Sequence, residues 1–520
     1  MKVKVKEIAS KAWIYILFIA IMVIVISMKK DYHMDEVFSY GLANHVGQTS
    51  IHPEYAPYTY DDPAQVFLDY MLLDEEVGFS IENCWYNQER ESSPPLYYFT
   101  VHIMSVFAGQ RFSRWTAGVI NIFYMSLTLW VFREILKLFG VKGKKLTLFS
   151  LFFMISPAIL SDASFFRMYT MAIFFATLMT WLILKYRHHE NIKFYIFMIV
   201  ASVGGVLTQY YLIFYLFFIS LIYGVSLLVE KEWGKAGKYI VTMGIAGGLT
   251  YLIFPGIIPH LFSASRGAEG IENFQKGFDV HWTNLKEYCQ IVNDQLFGGW
   301  FWWLLPAAAV MLIICKVKYK TKFEITEKIW DICIAFLPTI GYIVLVAKVA
   351  PYNTDRYIMA VFAMIIILLL LGLSWVLEKC FEKKVILKNC VLGCVCTALL
   401  FDIWKDFRWP YLYLGMEEHI NKMSEYSDVD GLCVLDVGWK ISGNFIEMTK
   451  LDTLTFFQTE ISALDVMEDL KNKDEYILYV VDCDAAEIMH QIYAICPQIN
   501  AYEYIDESDY AEIYHLYHAN

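Results

Sequence analysis

Three short stretches hold residue types that can do chemistry. His33, Asp35 and Glu36 follow directly on the apolar run WIYILFIAIMVIVISM, Asp162 lies in SPAILSDASFFRMY, Arg167 and Tyr169 close that same stretch, and Arg356 and Tyr357 sit in APYNTDRY. Each group falls at the end of an apolar run, where lipid gives way to water. A carboxylate at such a mouth can accept a proton from a hydroxyl, and arginines there can hold a phosphate with planar, permanently charged donors. A sugar carried on a polyprenyl phosphate suits this set, because the lipid tail can lie among helices while the sugar phosphate stays at the interface. The leaving phosphate departs already ionised, so one general base and a few cations suffice. Asp35 is the expected base. His33 is read as a polar surface histidine, with assistance to proton transfer as the alternative.

The elements that must position these residues are membrane spans. Hydrophobic residues make up 57% of the 520-residue chain, aromatics 17%, and the mean hydropathy is +0.42, well beyond a soluble protein. The net charge of −12, with much of the acidity after residue 411, argues against nucleic acid as a partner. Runs long enough to span fall at 12–28, 114–132, 146–162, 165–184, 193–207, 210–229, 239–258, 298–315, 329–349, 357–377 and 389–404, about eleven in all. With the N-terminus in the cytoplasm, the inside loops REILKLFGVKGKK, KYRHHENIK, EKEWGKAGK, KVKYKTKFEITEK and LEKCFEKKVILK all carry Lys or Arg. The N-terminal run is read as a retained span rather than a cleaved signal peptide.

The run PPLYYFTVHIMSVFAG, residues 94–109, is left out of the count, since including it inverts the charge bias of every later loop; it is expected in the interface. The first outer segment then covers 29–113, a length that implies function. Beyond residue 405 the chain alternates strand-like and helix-like patterns and reads as a small acidic α/β domain outside the cell. The expected fold is therefore an all-α polytopic membrane bundle over 1–404, with interfacial helices in its first loop, and a 405–520 tail domain. The eleven cysteines show no metal-type spacing; Cys84, Cys289, Cys433, Cys483 and Cys496 fall on the outer side, where a disulfide is conceivable, but no pairing can be deduced.

Together HMDEVFSYGLAN, SSPPLYYFTVHIMSVFAG, SPAILSDASFFRMYTMAIFF and PYNTDRYIMA resemble the C-type (GT-C) membrane glycosyltransferases, in particular the bacterial family 39 group that includes protein mannosyltransferases and aminoarabinose transferases. The resemblance covers roughly residues 10–405. It implies inverting transfer of a hexosyl or pentosyl group from a polyprenyl-phosphate donor, with Asp35 as base and Glu36 supporting it or touching the acceptor. It places Asp162 near the acceptor or a divalent ion, and Arg167, Tyr169, Arg356 and Tyr357 against the donor phosphate and sugar. One departure stands out: relatives often carry Lys or His before the Pro-Pro pair, and here the residue is Ser93. Metal dependence stays open, with Asp35 and Asp162 as the candidate ligands, as does the acceptor, whether protein, lipid or glycan. Two other classes remain. A transporter or flippase of a lipid-linked saccharide would place charges within the spans and repeat its topology in halves, neither of which the sequence does. A non-catalytic envelope assembly protein would use its acidic tail to hold a partner.

Overall fold

In the computed structural model the chain is described throughout except at residues 1, 46, 48–50, 52–55, 75–77, 110, 264, 305, 308–309, 311–312, 314–326, 382–384, 509 and 520. It divides into two compact units, one of residues 1–27, 92–97 and 118–409, the other of residues 28–91, 98–117 and 410–520.

The first unit is a bundle of apolar helices. Among the described residues six are long and apolar enough to cross a membrane: Trp115–Leu138, Tyr169–Tyr186, Leu212–Val229, Lys328–Val349, Met359–Cys380 and Val385–Asp406. Two bent pairs, beginning at Gly143 and Trp233, bring the number to eight. Two further runs expected to span, 12–28 and 193–207, form the shorter apolar helices Ala12–Ser27 and Ile192–Thr208. The run 298–315 and the inside loop after it lie largely outside the described residues. The Tyr169–Tyr186 span is the most enclosed, with 83% of its apolar window buried against 22% for Val385–Asp406, so the one forms the centre of the bundle and the other its rim.

The bend at 155–157 has a readable cause. Pro157 opens the helix Pro157–Ser164, and the residue before a proline is driven out of helical geometry; Ser156 accordingly sits at φ −64°, ψ 122°. A broken helix in lipid leaves carbonyls that must find partners. The indole of Trp404 donates to the Ile155 carbonyl at 2.8 Å, and the fully buried Asn121 amide donates to the carbonyls of Ala163 and Phe165 at 3.1 and 2.6 Å. Asn121 also accepts from the Thr170 hydroxyl at 2.9 Å, which ties the start of the next span to the same side chain.

The second unit is built on a six-stranded sheet in the order β1-β3-β2-β4-β6-β5. Its strands are β1 (Tyr58–Tyr60), β2 (Gly431–Leu435), β3 (Leu454–Gln458), β4 (Glu475–Val481), β5 (Ala501–Ser508) and β6 (Ala511–Tyr517). The central strands β2, β3 and β4 run parallel, and the sequences GLCVL and EYILYVV are near-continuous apolar runs, as strands covered on both faces require. Leu432, Val434, Leu478 and Val480 pack with Ile488 and Ile492 of the helix Ala485–Ile495, whose first turn is capped by Asp484. Strand β1 comes from the segment that follows the first apolar run and pairs antiparallel with β3 of the tail, so this unit draws on both segments.

The helix Met34–Asn44 of the same unit is seated on the buried ring of Tyr70, from the helix Pro63–Met71. At Gly41 a Cβ would fall 2.0 Å from that ring, closer than any real contact. Substituting Gly41→Ala is therefore expected to destabilise the unit by about 1–3 kcal/mol, the usual cost of overpacking. Thermal melting of the purified protein, compared with a Gly415→Ala control where a Cβ meets nothing, reads this directly.

Candidate active site

The Asp-Glu pair after the first span is split into two different tasks. His33 caps the helix Met34–Asn44: its Nδ1 accepts from the Asp35 backbone N–H at 3.0 Å, while the Glu36 carboxylate accepts from the His33 N–H at 2.7 Å. This reciprocal arrangement is a capping box with histidine in the serine position. A ring nitrogen that accepts carries no proton, so His33 is the neutral tautomer protonated at Nε2. Its 3.8 Å approach to Asp35 Oδ2 is accordingly no ion pair.

Glu36 is fully buried and meets the ammonium of Lys29 at 2.9 Å. Lys29 is equally buried, donates to the Tyr411 carbonyl at 2.6 Å and lies 5.5 and 5.4 Å from the ring centres of Tyr32 and Tyr413. Burial pushes the Lys29 pKa below the ordinary lysine value, and Glu36 pulls it back up. The Lys29 carbonyl accepts from Arg114 at 2.5 Å, and the Asp31 carboxylate takes the Tyr32 N–H at 2.6 Å. Lys29, Glu36 and Asp31 are thus held in place around the start of the helix, while the Asp35 side chain stays 27% exposed. It sits in the first helical turn, where the helix dipole favours the ionised form.

The second constellation belongs to the membrane unit. Asp162 is 1% exposed on the helix Pro157–Ser164, and its Oδ2 has no hydrogen-bonding partner among the described residues. Its electrostatic neighbour is Asp355. Arg167 is buried in the turn that follows, and the Tyr169 ring stacks on Phe165 at 5.3 Å. The segment 350–358 is braced from two sides. Tyr342 donates its hydroxyl to the Tyr357 carbonyl at 2.7 Å, and the helix Phe278–Phe297 supplies Tyr288 to the Tyr352 carbonyl at 3.0 Å and Gln295 to Asp355 Oδ2 at 2.8 Å. Arg356 lies over the Tyr357 ring at 5.4 Å, and that ring meets Tyr211 edge-on at 5.2 Å. Tyr211 in turn feels Tyr169 and Arg266. Within this unit Asp162, Tyr169 and Tyr357 are therefore joined to Asp355, Tyr211 and Arg266, none of which was singled out from the sequence.

Other sequence expectations meet plain outcomes. Ten cysteines are described and all are free thiols. Among the described residues no group of three or more His, Cys, Asp or Glu side chains is placed to hold a metal ion. Ser93 is half-buried and contributes no charge. Lys29 and Asn121 are the positions that sequence reasoning passed over: a lysine at the end of a span looks like an interfacial anchor, and one amide inside an apolar run looks incidental.

No family model matches this sequence, and neither does any curated protein. Solved structures do, among them ArnT from Cupriavidus metallidurans in the apo state, at 11% identity, a TM-score of 0.52 and 98% of both chains covered, and the same protein bound to undecaprenyl phosphate, at 12% identity, a TM-score of 0.50, 97% of this chain and 98% of that one. The chain has the GT-C membrane fold. At this identity the likeness is one of fold, and it makes the chain a multi-pass membrane protein with the polytopic architecture expected from the sequence.

The Lys29–Glu36 pair yields a stability test. Removing one partner of a buried pair leaves the other charge uncompensated, so Lys29→Met is expected to cost about 3–5 kcal/mol. The double variant Lys29→Met/Glu36→Gln is expected to recover part of that loss. Denaturation midpoints of the four proteins of the cycle give the coupling, and a midpoint unmoved by Lys29→Met would show that the pair does not anchor the helix.

Proposed function

We propose that this protein is an integral membrane glycosyltransferase that moves a sugar from a polyprenyl-phosphate donor to an acceptor hydroxyl on the outer face of the plasma membrane. The observation that carries the reading is the fold shared over 98% of both chains with ArnT, one of whose crystal structures holds undecaprenyl phosphate. Its support comes from the residues: an acidic side chain left accessible after the first span, and arginines at two span ends, Arg167 buried and Arg356 over the Tyr357 ring.

In this reading Asp35 takes the proton of the acceptor hydroxyl as its oxygen attacks the anomeric carbon, and Glu36 keeps the helix that presents Asp35 in place. The bond between the anomeric carbon and the phosphate oxygen breaks on the opposite face, so configuration inverts. The polyprenyl phosphate leaves as an anion, with Arg167 and Arg356 offsetting its charge. Tyr169 and Tyr357 contact the donor, and Asp162 takes a hydrogen bond from the substrate at its otherwise unpaired oxygen. The N-terminus then lies in the cytoplasm, and the first outer segment and the tail lie outside.

The test is lipid mass spectrometry on protein purified from the membrane, wild type against Asp35→Asn. The variant is expected to bind donor without consuming it and to turn over about 100-fold or more slowly, the range for a lost general base. A polyprenyl-phosphate sugar enriched in the variant names the sugar. Absence of such a lipid from both samples, or a product of retained configuration, would overturn the proposal.

A further inference from the structure

At the Lys- and Arg-rich ends of the spans, a cavity of about 970 Å³ opens between the loop 188–191 and the start of the helix Trp233–Ile253. We infer that it is a binding site for the head group of an anionic phospholipid in the leaflet on that side.

Three observations converge. The cavity is lined by His188, His189, Lys235 and Lys238, facing a single acid, Glu190. Lys238 has no carboxylate partner among the described residues, and the 3.3 Å contact of Lys235 with Glu232 is a partly exposed pair one helical turn apart, of the weak kind. Glu190 is occupied, accepting the hydroxyls of Tyr195 and Tyr223, one from each neighbouring helix.

The site is also preformed. Just ahead of the loop the buried Arg187 donates to Glu230 and, at 2.9 Å, to Asp331, so the chain is pinned before His188, while Asn191 caps the helix Ile192–Thr208 after it. The two histidines between these anchors remain exposed.

The walls and their surroundings, finally, are apolar. Ile192, Trp233 and Val241 line the cavity and are 69%, 66% and 61% exposed, and Ile196 and Ile240 continue the same exposed surface along both helices. In a membrane protein such surface faces acyl chains. Basic side chains at the head-group level above an open apolar wall are complementary to a phosphate that arrives with its chains attached, rather than to a soluble anion. Gly234 and Gly237 lie on the helix side of the cleft with open space where a Cβ would be, which leaves the backbone approachable.

The test is native mass spectrometry of the full-length protein in detergent, titrated with phosphatidylglycerol, with phosphatidylcholine as the uncharged-head-group control. Wild type is expected to retain phosphatidylglycerol over phosphatidylcholine. Lys235→Gln/Lys238→Gln should weaken that retention about thirty-fold, since each basic group near a lipid surface is worth roughly a factor of five to six. Lys142→Gln/Lys144→Gln, which removes two lysines from another loop of the same charge-rich side, should leave it unchanged. Equal loss in both double variants would reduce the effect to general surface charge and overturn the assignment. So would displacement of the lipid by an equimolar amount of inorganic phosphate, which would mark an anion site without lipid specificity.

Discussion

Hydrocarbon offers no partner to an open backbone carbonyl, and that constraint decides where this chain can interrupt its helices. The break at 155–157 and the turn at 164–169 survive because Trp404 and Asn121 meet the freed carbonyls, and the latter also takes up the Thr170 hydroxyl that starts the next span. With those bonds the chain can place Asp162 on a short broken helix, Arg167 on the irregular turn after it and Tyr169 at the start of the next span, all inside the bundle. Without them a continuous helix would be the only acceptable course, and these residues would be spread around its faces. The segment 350–358 obeys the same rule with different donors, Tyr342 and Tyr288, each spending its hydroxyl on a carbonyl of the turn.

The other unit solves a different problem, which is how to seat a charged segment at a span end without letting the charges wander. Burying Lys29 against Glu36 removes two ions from water, and the pair is tolerable because each partner has further contacts: the Tyr411 carbonyl and two aromatic rings for the lysine, the His33 N–H for the glutamate. The result is that two adjacent acids with the same chemistry acquire opposite characters. Glu36 becomes part of the frame, and Asp35, one residue earlier on the same turn, keeps access to solvent.

Much of this was legible in the sequence. Run length and Lys/Arg placement located the helices at ten of the eleven expected spans, since both signals follow from the bilayer rather than from packing. The strict count among the described residues is lower, because the runs beginning at Gly143 and Trp233 are bent and the helices Ala12–Ser27 and Ile192–Thr208 are short. The tail's alternation of strand-like and helix-like patterns was visible, with β2 and β4 among the strands; their parallel pairing through β3 was not. What stayed hidden depends on distant partners. Nothing local marks YTY at 58–60 as a strand, because its pairing partner lies in the tail. Asn121 and Gln295 look ordinary until the carbonyls and the carboxylate they serve are placed beside them. Asp355 stood in a motif already noticed for its Arg-Tyr pair, and only its electrostatic link to Asp162 gives it weight.

The pairing of β1 with β3 also has a consequence for how the protein is made. Thr59 and Thr455 share a hydrogen bond across 396 residues of chain. At ordinary synthesis speeds of 5–20 residues per second, the first outer segment waits roughly 20–80 s after its own translation before the strand it belongs beside exists. During that interval every intervening span must be inserted while an unpaired edge stands in the open. A stop codon between β1 and residue 454 would leave that strand without its partner, an unpaired edge of the kind that invites aggregation.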